Sequence, residues 1–382
     1  MRLGDCCKTN LHTYSDKEKW SLIRYLDTGS ITEGRIDEIQ TLYPGVDKIP
    51  SRARRKASVG DILFSTVRPN QKHYGIIEAG TENLLVSTGF TVVTVDTTIA
   101  DPYFIYYYLT QSSVIESLQA IAEQSTSTYP SIKPSDIEDI ELDLPELETQ
   151  KKIGSTLRML DRKIALNEEI NDNLQQQATA FFSSLYDRSN TEVRFTDLIQ
   201  ILGGGTPKTG ESTYWNGNIA FFTPKDVGTP YTLITEKTIS EEGLSHCNSR
   251  LYPVNTVFVT ARGTVGKVGI SGVPMAMNQS CYALVGKETH QLLVYFYTLK
   301  AVDRLKHKAS GAVFDAITTR DFESEQIMKL SDDDAKAFLC IAEPMFQKVL
   351  NNCIENLRLS TLRDSLLPKL MSGEIDVSAI QL

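Results

Sequence analysis

From Pro145 to Leu185 the chain places side chains of one kind at alternating steps of four and three residues. Ile153, Leu157, Leu160, Ile164, Asn167, Asn171, Leu174, Ala178, Phe181 and Leu185 form an apolar seam with two polar breaks, the signature of a long helix packed as in a coiled coil. Pro145 suits the first helical position, and Glu146 and Glu148 place negative charge by the exposed N–H groups of the first turn. A shift of 185 residues gives a second seam of Phe338, Ala342, Met345, Val349, Asn352, Asn356, Leu359, Arg363, Leu366 and Leu370. Both Asn positions coincide. A buried Asn in such a seam fixes register, because slippage leaves its amide unsatisfied, so Asn167, Asn171, Asn352 and Asn356 are expected to pin two helices packed on each other.

The stretches between the seams repeat as well. Residues 1–144 read as mixed α/β, with β-branched runs at 59–69 and 87–95 and a helical period over 101–124 behind Pro102. Residues 189–330 follow the same order. Phe195-Thr-Asp197 matches Leu3-Gly-Asp5, residues 221–227 match 22–27 with Asp226 against Asp27, and residues 254–270 match 59–69, so Arg262 falls near Arg68. The helical run 292–310 matches 104–124. Phe314, Ile317, Asp321 and Phe322 match Tyr129, Ile132, Asp136 and Ile137. This is an internal duplication of body, helix, body, helix. The expected domains are 1–144, a helix at 145–188, a second body at 189–330, and a helix and tail at 331–382. For the second helix to pack along the first it must run back toward body one, which makes the pair antiparallel and the whole pseudo-twofold. About 41 helical residues at 1.5 Å each set roughly 60 Å as the longest span between the bodies.

The 382 residues give room for two or three domains, and the net charge of −9 argues at first against nucleic acid. By segment the objection weakens, since five acids crowd into Asp136–Asp143 and residues 1–135 hold 14 basic against 15 acidic side chains. No apolar run approaches a membrane span and the opening residues lack a signal-peptide core, so no membrane is expected and the compartment is expected to be cytoplasmic. The six cysteines have neither Cys-x-x-Cys spacing nor a His/Cys cluster. Reduced thiols and no metal site are expected.

Three motifs suggest chemistry and fall short of it. Gly205 to Gly210 has the spacing of a nucleotide-binding loop, but Glu211 stands where Lys is obligatory; a loop touching a DNA backbone and a plain turn both remain open. Asp101-Pro-Tyr-Phe104 lacks one proline of the Asp-Pro-Pro-Tyr of adenine methyltransferases and no Gly-rich cofactor loop accompanies it, so Pro102 reads as a helix start. No Pro-Asp dipeptide begins a nuclease cluster, and the five His residues are scattered. The basic positions are more suggestive. Body one carries Arg52, Arg54, Arg55 and Lys56, then Arg68, Asn70, Gln71 and Lys72; body two carries Lys208, Lys225, Arg262, Lys267, Asn278, Gln279, Lys306 and Lys308. Arg forks onto guanine edges and Asn or Gln onto adenine, so such loops in both copies suit base reading. Any one cluster alone is more often a solvated face.

The segments LPELETQKKI and LRMLDRKIALNEEINDNL, GGGTPKTGESTYWNGNIAFFTPKDV, and the tail LRDSLLPKLMSGEI together resemble the specificity subunit of type I restriction-modification systems. The resemblance covers nearly the whole chain. It implies an α+β fold in which two target-recognition domains are separated by two long antiparallel helices, each domain reading one half of a bipartite double-stranded DNA target. It further implies no catalysis and no cofactor in this chain. Two modification subunits would bring S-adenosylmethionine, and restriction subunits would bring ATP-driven translocation and cleavage with magnesium. Competing readings are a fused DNA adenine methyltransferase with its own recognition domains and a coiled-coil adaptor without a nucleic-acid role. Two departures stand out: LSDDDAK replaces LPELETQ before the second helix, and Pro344 sits one turn inside it, where a kink or a late start is expected.

Overall fold

The structure, a computed structural model, describes residues 1–80, 82–125, 129–228, 230–308 and 316–377. Phe314, matched above to Tyr129, lies outside the described residues. The chain divides into two compact units, Met1–Lys163 with Leu359–Leu382, and Ile164–Arg358. The division falls inside both long helices, Leu147–Tyr186 and Asp332–Met371.

In the first unit the β-branched runs form two sheets. One is antiparallel throughout, in the order Cys7–Thr9, Phe90–Val95, Ile62–Ser65, Tyr74–Ile76. The other runs Gln40–Leu42, Ile23–Leu26, Leu84–Ser87, Ala53–Lys56, with a parallel pair at its centre. The run at 87–95 is therefore not one strand. It turns at Thr88–Gly89 and serves both sheets. The helical period over 101–124 is likewise split, into Pro102–Leu109 and Ser112–Glu123, because Gln111 takes an extended conformation (ψ 139°) and Thr110 Oγ1 donates to Tyr107 O at 3.2 Å. Asp101 caps the first of these, accepting from Phe104 N at 2.9 Å, with Pro102 in its first turn. Phe104, Ile105, Tyr107, Ile62, Phe64 and Val93 are buried together with Ile153, Leu157 and Leu370 from the long helices.

The second unit repeats the topology. Its larger sheet is ordered Ile199–Gly203, Cys281–Gly286, Val257–Thr260, Val268–Ser271, Tyr231–Thr232, and its smaller one Lys237–Ile239, Trp215–Phe222, Met275–Met277, with the latter two parallel. The position taken by the strand Ala53–Lys56 in the first unit is met here by one isolated bridge, Tyr252 to Met275. A single helix, Gln291–Lys308, replaces the split pair. Strand pairing also sharpens the repeat: Leu26 pairs with Val86 as Phe222 pairs with Met277, so Asp27 corresponds to Thr223 and not to Asp226.

Two expectations about the long helices need correction. The first helix opens at Leu147, two residues beyond Pro145, because Gln150 N bonds to Glu146 O at 3.1 Å and its side chain to Pro145 O at 2.8 Å. The second starts at Asp332 and runs unbroken through Pro344. Within the second unit the two pack antiparallel. Asn167 Nδ2 donates to Asn356 Oδ1 and to Glu355 Oε2, both at 2.8 Å, and Asn352 Nδ2 donates to Asn171 Oδ1 at 2.8 Å. Asn356 Nδ2 reaches Ile164 O at 3.3 Å. Burial is deepest at 178, 182 and 185 and at 338, 342, 346 and 349, while the seam residues Phe181, its ring 5.9 Å from that of Phe338, and Met345 pack partly buried against the same core.

Candidate nucleic-acid interface

In the first unit the strand Ile62–Ser65 ends in a tight loop. Arg68 N donates to Pro130 O at 3.0 Å, Gln71 N to Arg68 O at 2.9 Å, and Lys72 N to Pro69 O at 2.9 Å, which winds Pro69–Gln71 into a short helical turn. Arg68 and Lys72, the residues flanking it, both have left-handed backbones, with φ of +49° and +57°. Arg68, Asn70 and Gln71 project around a depression of about 360 Å³ completed by Gln119 and Pro130. Gln119 is the addition that local sequence reasoning missed. It lies 49 residues from Asn70, whose N–H it accepts at 3.2 Å, and the only local signal is its place on the polar side of a helix that buries Ile115, Leu118 and Ala122.

The other basic run of this unit divides by face. Ala53–Lys56 is a strand with an irregularity between Ala53 and Arg55. Arg55 donates to Asn10 Oδ1 and burial lowers its pKa, while Lys56 pairs with Glu18 and lies 5.2 Å over the Trp20 ring. Both are half-buried and spent on the fold. Arg52 is exposed and Arg54 half-buried. Lys72 is paired with Glu33 at 2.6 Å, but both partners are about half exposed and the pair adds little stability.

In the second unit several loops meet. Arg262 N and Ala261 N both approach Ser280 O, at 3.3 and 2.8 Å, and Ser280 N donates to Asn278 Oδ1 at 3.0 Å. Gln279 Oε1 accepts from Thr206 Oγ1, and Thr264 Oγ1 donates to Pro224 O at 3.4 Å beside Lys225. Arg262, Asn278, Gln279 and Lys225 thus share one surface with the glycine-rich loop. Those glycines answer to backbone packing: a Cβ on Gly204 would stand 2.2 Å from Asn278 O, and one on Gly205 2.6 Å from Asn248 N. Lys225 pairs with Glu236 at 3.4 Å. Lys208 is exposed, its carbonyl accepting from Trp215 Nε1 at 3.2 Å. Lys267 is exposed, and Lys306 runs alongside Gly266. Lys308 pairs with Glu325, a carboxylate only 1% exposed that Arg304 approaches at 3.8 Å. A carboxylate so buried needs such partners, which explains Lys308 without a ligand.

Among the described residues the side chains of Arg52, Arg68 and Arg262 meet no acceptor within the chain. Among those residues, too, no group of three or more His, Cys, Asp or Glu is placed to hold a metal ion, and no helix is long and apolar enough to cross a membrane.

A body built twice, with an exposed Arg that meets no acceptor among the described residues just past the end of the same strand in each copy, is the construction of a two-module recognition protein. The chain belongs to the type I restriction-modification DNA specificity domain family, whose model matches residues 48–176 and 188–329. It is 25% identical to the type I restriction enzyme HindI specificity subunit of Haemophilus influenzae, over 98% of both chains. To the MjaIX specificity subunit of Methanocaldococcus jannaschii it is 22% identical, over 84% of this chain and 79% of that one. The crystal structure of the type I restriction-modification S subunit from M. genitalium shares the fold, with a TM-score of 0.60 at 14% identity over 97% of this chain and 95% of that one.

Proposed function

We propose that this chain is the DNA-reading subunit of a type I restriction-modification complex, in which 1–144 and 189–330 each recognise one half of a bipartite double-stranded target. The long helices, Leu147–Tyr186 and Asp332–Met371, set the gap between the halves and dock two modification subunits, which carry S-adenosylmethionine; restriction subunits supply ATP- and magnesium-dependent steps. The observation that carries this reading is the matched loop: the strand Ile62–Ser65 and the strand Val257–Thr260 each deliver an exposed Arg, Arg68 and Arg262, with Asn and Gln beside it. Arg, Asn and Gln are the side chains that fork onto base edges. The near-neutral stretches 1–135 and 189–330 are consistent with local cationic surface rather than a uniform field.

Exchange of residues 189–330 for the matching segment of the Haemophilus relative tests it. The hybrid, assembled with its modification subunits, is expected to methylate a site in which one half-sequence has changed and the other has not. A hybrid that is folded and active yet methylates the original site, or one altered in both halves, would contradict the proposal.

A further inference from the structure

The loop after the central strand is built twice from different residues, and three contacts fix how the copies correspond. Thr66 N donates to Gly89 O at 2.8 Å, as Ala261 N does to Ser280 O at 2.8 Å. Ile132 N donates to Thr66 O at 2.9 Å, as Ile317 N does to Ala261 O at 2.9 Å. Val67 bridges to Ser131 as Arg262 bridges to Ala316. Arg262 therefore corresponds to Val67, and Arg68 corresponds to Gly263.

At that position both backbones are left-handed, φ +49° at Arg68 and +82° at Gly263. Glycine adopts the conformation freely, whereas a Cβ is strained there. Space does not explain the glycine, since a Cβ on Gly263 would meet nothing nearer than Pro224 Cβ at 4.0 Å. The second body thus takes the residue its backbone prefers, and the first keeps Arg against that preference. Local packing does not compensate. The guanidinium lies 5.3 Å over Tyr129, a ring 57% exposed, and an exposed pair of this kind is weak. Among the described residues no oxygen accepts a hydrogen bond from it, and the depression it lines with Asn70, Gln71, Gln119 and Pro130 contains no carboxylate. The backbone is nonetheless held firmly, by Pro130 O and by the bonds of the 69–71 turn. Lys72, left-handed in the same loop, is held by Glu33; the strain at Arg68 has no such partner and is a ground for a functional role.

We infer that Arg68 is the specificity-determining residue of the first body, its guanidinium steered by the Tyr129 face and forked onto the O6 and N7 of a guanine in the first half-site. The inference rests on the proposed DNA-reading function and adds to it a residue and a base. It also makes the two bodies unequal, since Arg262 leaves its loop one position earlier than Arg68.

The test uses Arg68→Gly and Arg68→Lys in the full chain assembled with its modification subunits, reading methylated sequences from a randomised DNA pool and the melting temperature of each chain. Arg68→Gly is expected to melt no lower than the parent, because the second body already uses glycine there. It should lose roughly 5- to 150-fold of the preference for one guanine in one half-site, with the other half-site unchanged. Arg68→Lys should bind DNA about as well as the parent and retain only part of the preference for that guanine, because an ammonium still donates to O6 and N7 but lacks the planar fork. Unaltered preference in both half-sites would overturn the inference, whatever the melting temperature. So would equal loss at both half-sites, since Arg68 would then serve folding or assembly. If the parent complex itself methylates no bipartite site, the failure belongs to the DNA-reading proposal instead.

Discussion

The two bodies share the order of their core strands, the added Tyr231–Thr232 and the missing counterpart of Ala53–Lys56 apart, and differ in how each meets the long helices. In the first unit Tyr107 OH donates to Asp161 Oδ2 at 2.5 Å and Arg363 pairs with Asp161 Oδ1 at 2.7 Å. Burial disfavours the Arg363 charge, but Asp161 and Asp364 outweigh it and raise the guanidinium pKa. Burial, with Asp161 beside it, raises Tyr107 as well. The 185-residue repeat puts Phe346 in the place of Asp161 and Ala178 in the place of Arg363. There the second unit builds an aromatic cluster, with Phe182 at 5.0 Å from Phe296, 5.3 Å from Phe338 and 5.5 Å from Tyr297. Equivalent positions thus hold a polar network in one copy and rings in the other. Duplication has preserved which elements touch and left the chemistry of the contact free to diverge.

That contrast has energetic consequences. Phe182→Ala removes a side chain 1% exposed at the centre of the cluster and is expected to cost about 3–5 kcal/mol. Arg363→Met should cost less, about 1.5–3 kcal/mol, because Arg363 and Asp161 keep 25% and 31% of their side-chain surface in water and Asp161 retains the Tyr107 hydroxyl. Urea unfolding of both variants checks the ranking, and equal losses would break the contrast.

The Asn seam belongs with the smaller of these losses. Asn171→Leu alone strands the Asn352 amide, whose Oδ1 already has no partner, and is expected to cost about 1–3 kcal/mol. The double replacement Asn171→Leu/Asn352→Leu should recover most of that loss, since no polar group is then left buried without its mate. Additive costs in the double-mutant cycle would mean the two amides do not act as a pair. Replacing Asn167 and Asn356 as well should leave a folded chain that docks its modification subunits less selectively, measured by assembly of the complex.

A smaller and local effect is expected at the second loop. Arg262→Ala should remove about 1–3 kcal/mol of discrimination at one base pair of one half-site while stability stays near that of the parent, because the side chain is exposed. Loss of preference at both half-sites, or at neither, in the methylated sequences would make Arg262 a structural residue.

The long-range plan was legible in the sequence because it rests on periodicity. The seam, its recurrence after 185 residues and the order of strands and helices all follow from side-chain spacing. What escaped depends on backbone geometry or distant partners. Nothing in Arg-Ala-Arg-Arg-Lys distinguishes Arg55, turned toward Asn10, from exposed Arg52. The split at Thr110–Gln111 is set by one extended residue inside a helical pattern, and the second helix runs on through Pro344, which is exposed, with Ala342 and Phe346 buried on either side of it. The buried face is wider than the heptad seam: Phe181 and Met345 pack partly buried against the core, and Phe182 and Phe346 one position later are buried outright, as the drift of a 3.6-residue turn against a seven-residue repeat allows. The one-residue offset between Arg68 and Arg262 is fixed by hydrogen bonds to residues 130–132 and 316–317, which no local alignment of the loops contains.

The proposed function has one reader occurring twice, with the long helices setting the gap in the target. Its most direct test is the methylated motif of a chain carrying four extra helical residues after Asn173, which add about 6 Å along the first helix. With about one helical turn, 10 base pairs, between half-site centres in the parent, the non-specific gap is expected to lengthen by one or two base pairs with both half-sequences retained. The same insertion within 210–213 is expected to leave the gap alone. A folded, active complex with an unchanged gap, or with altered half-sequences, would contradict the claim.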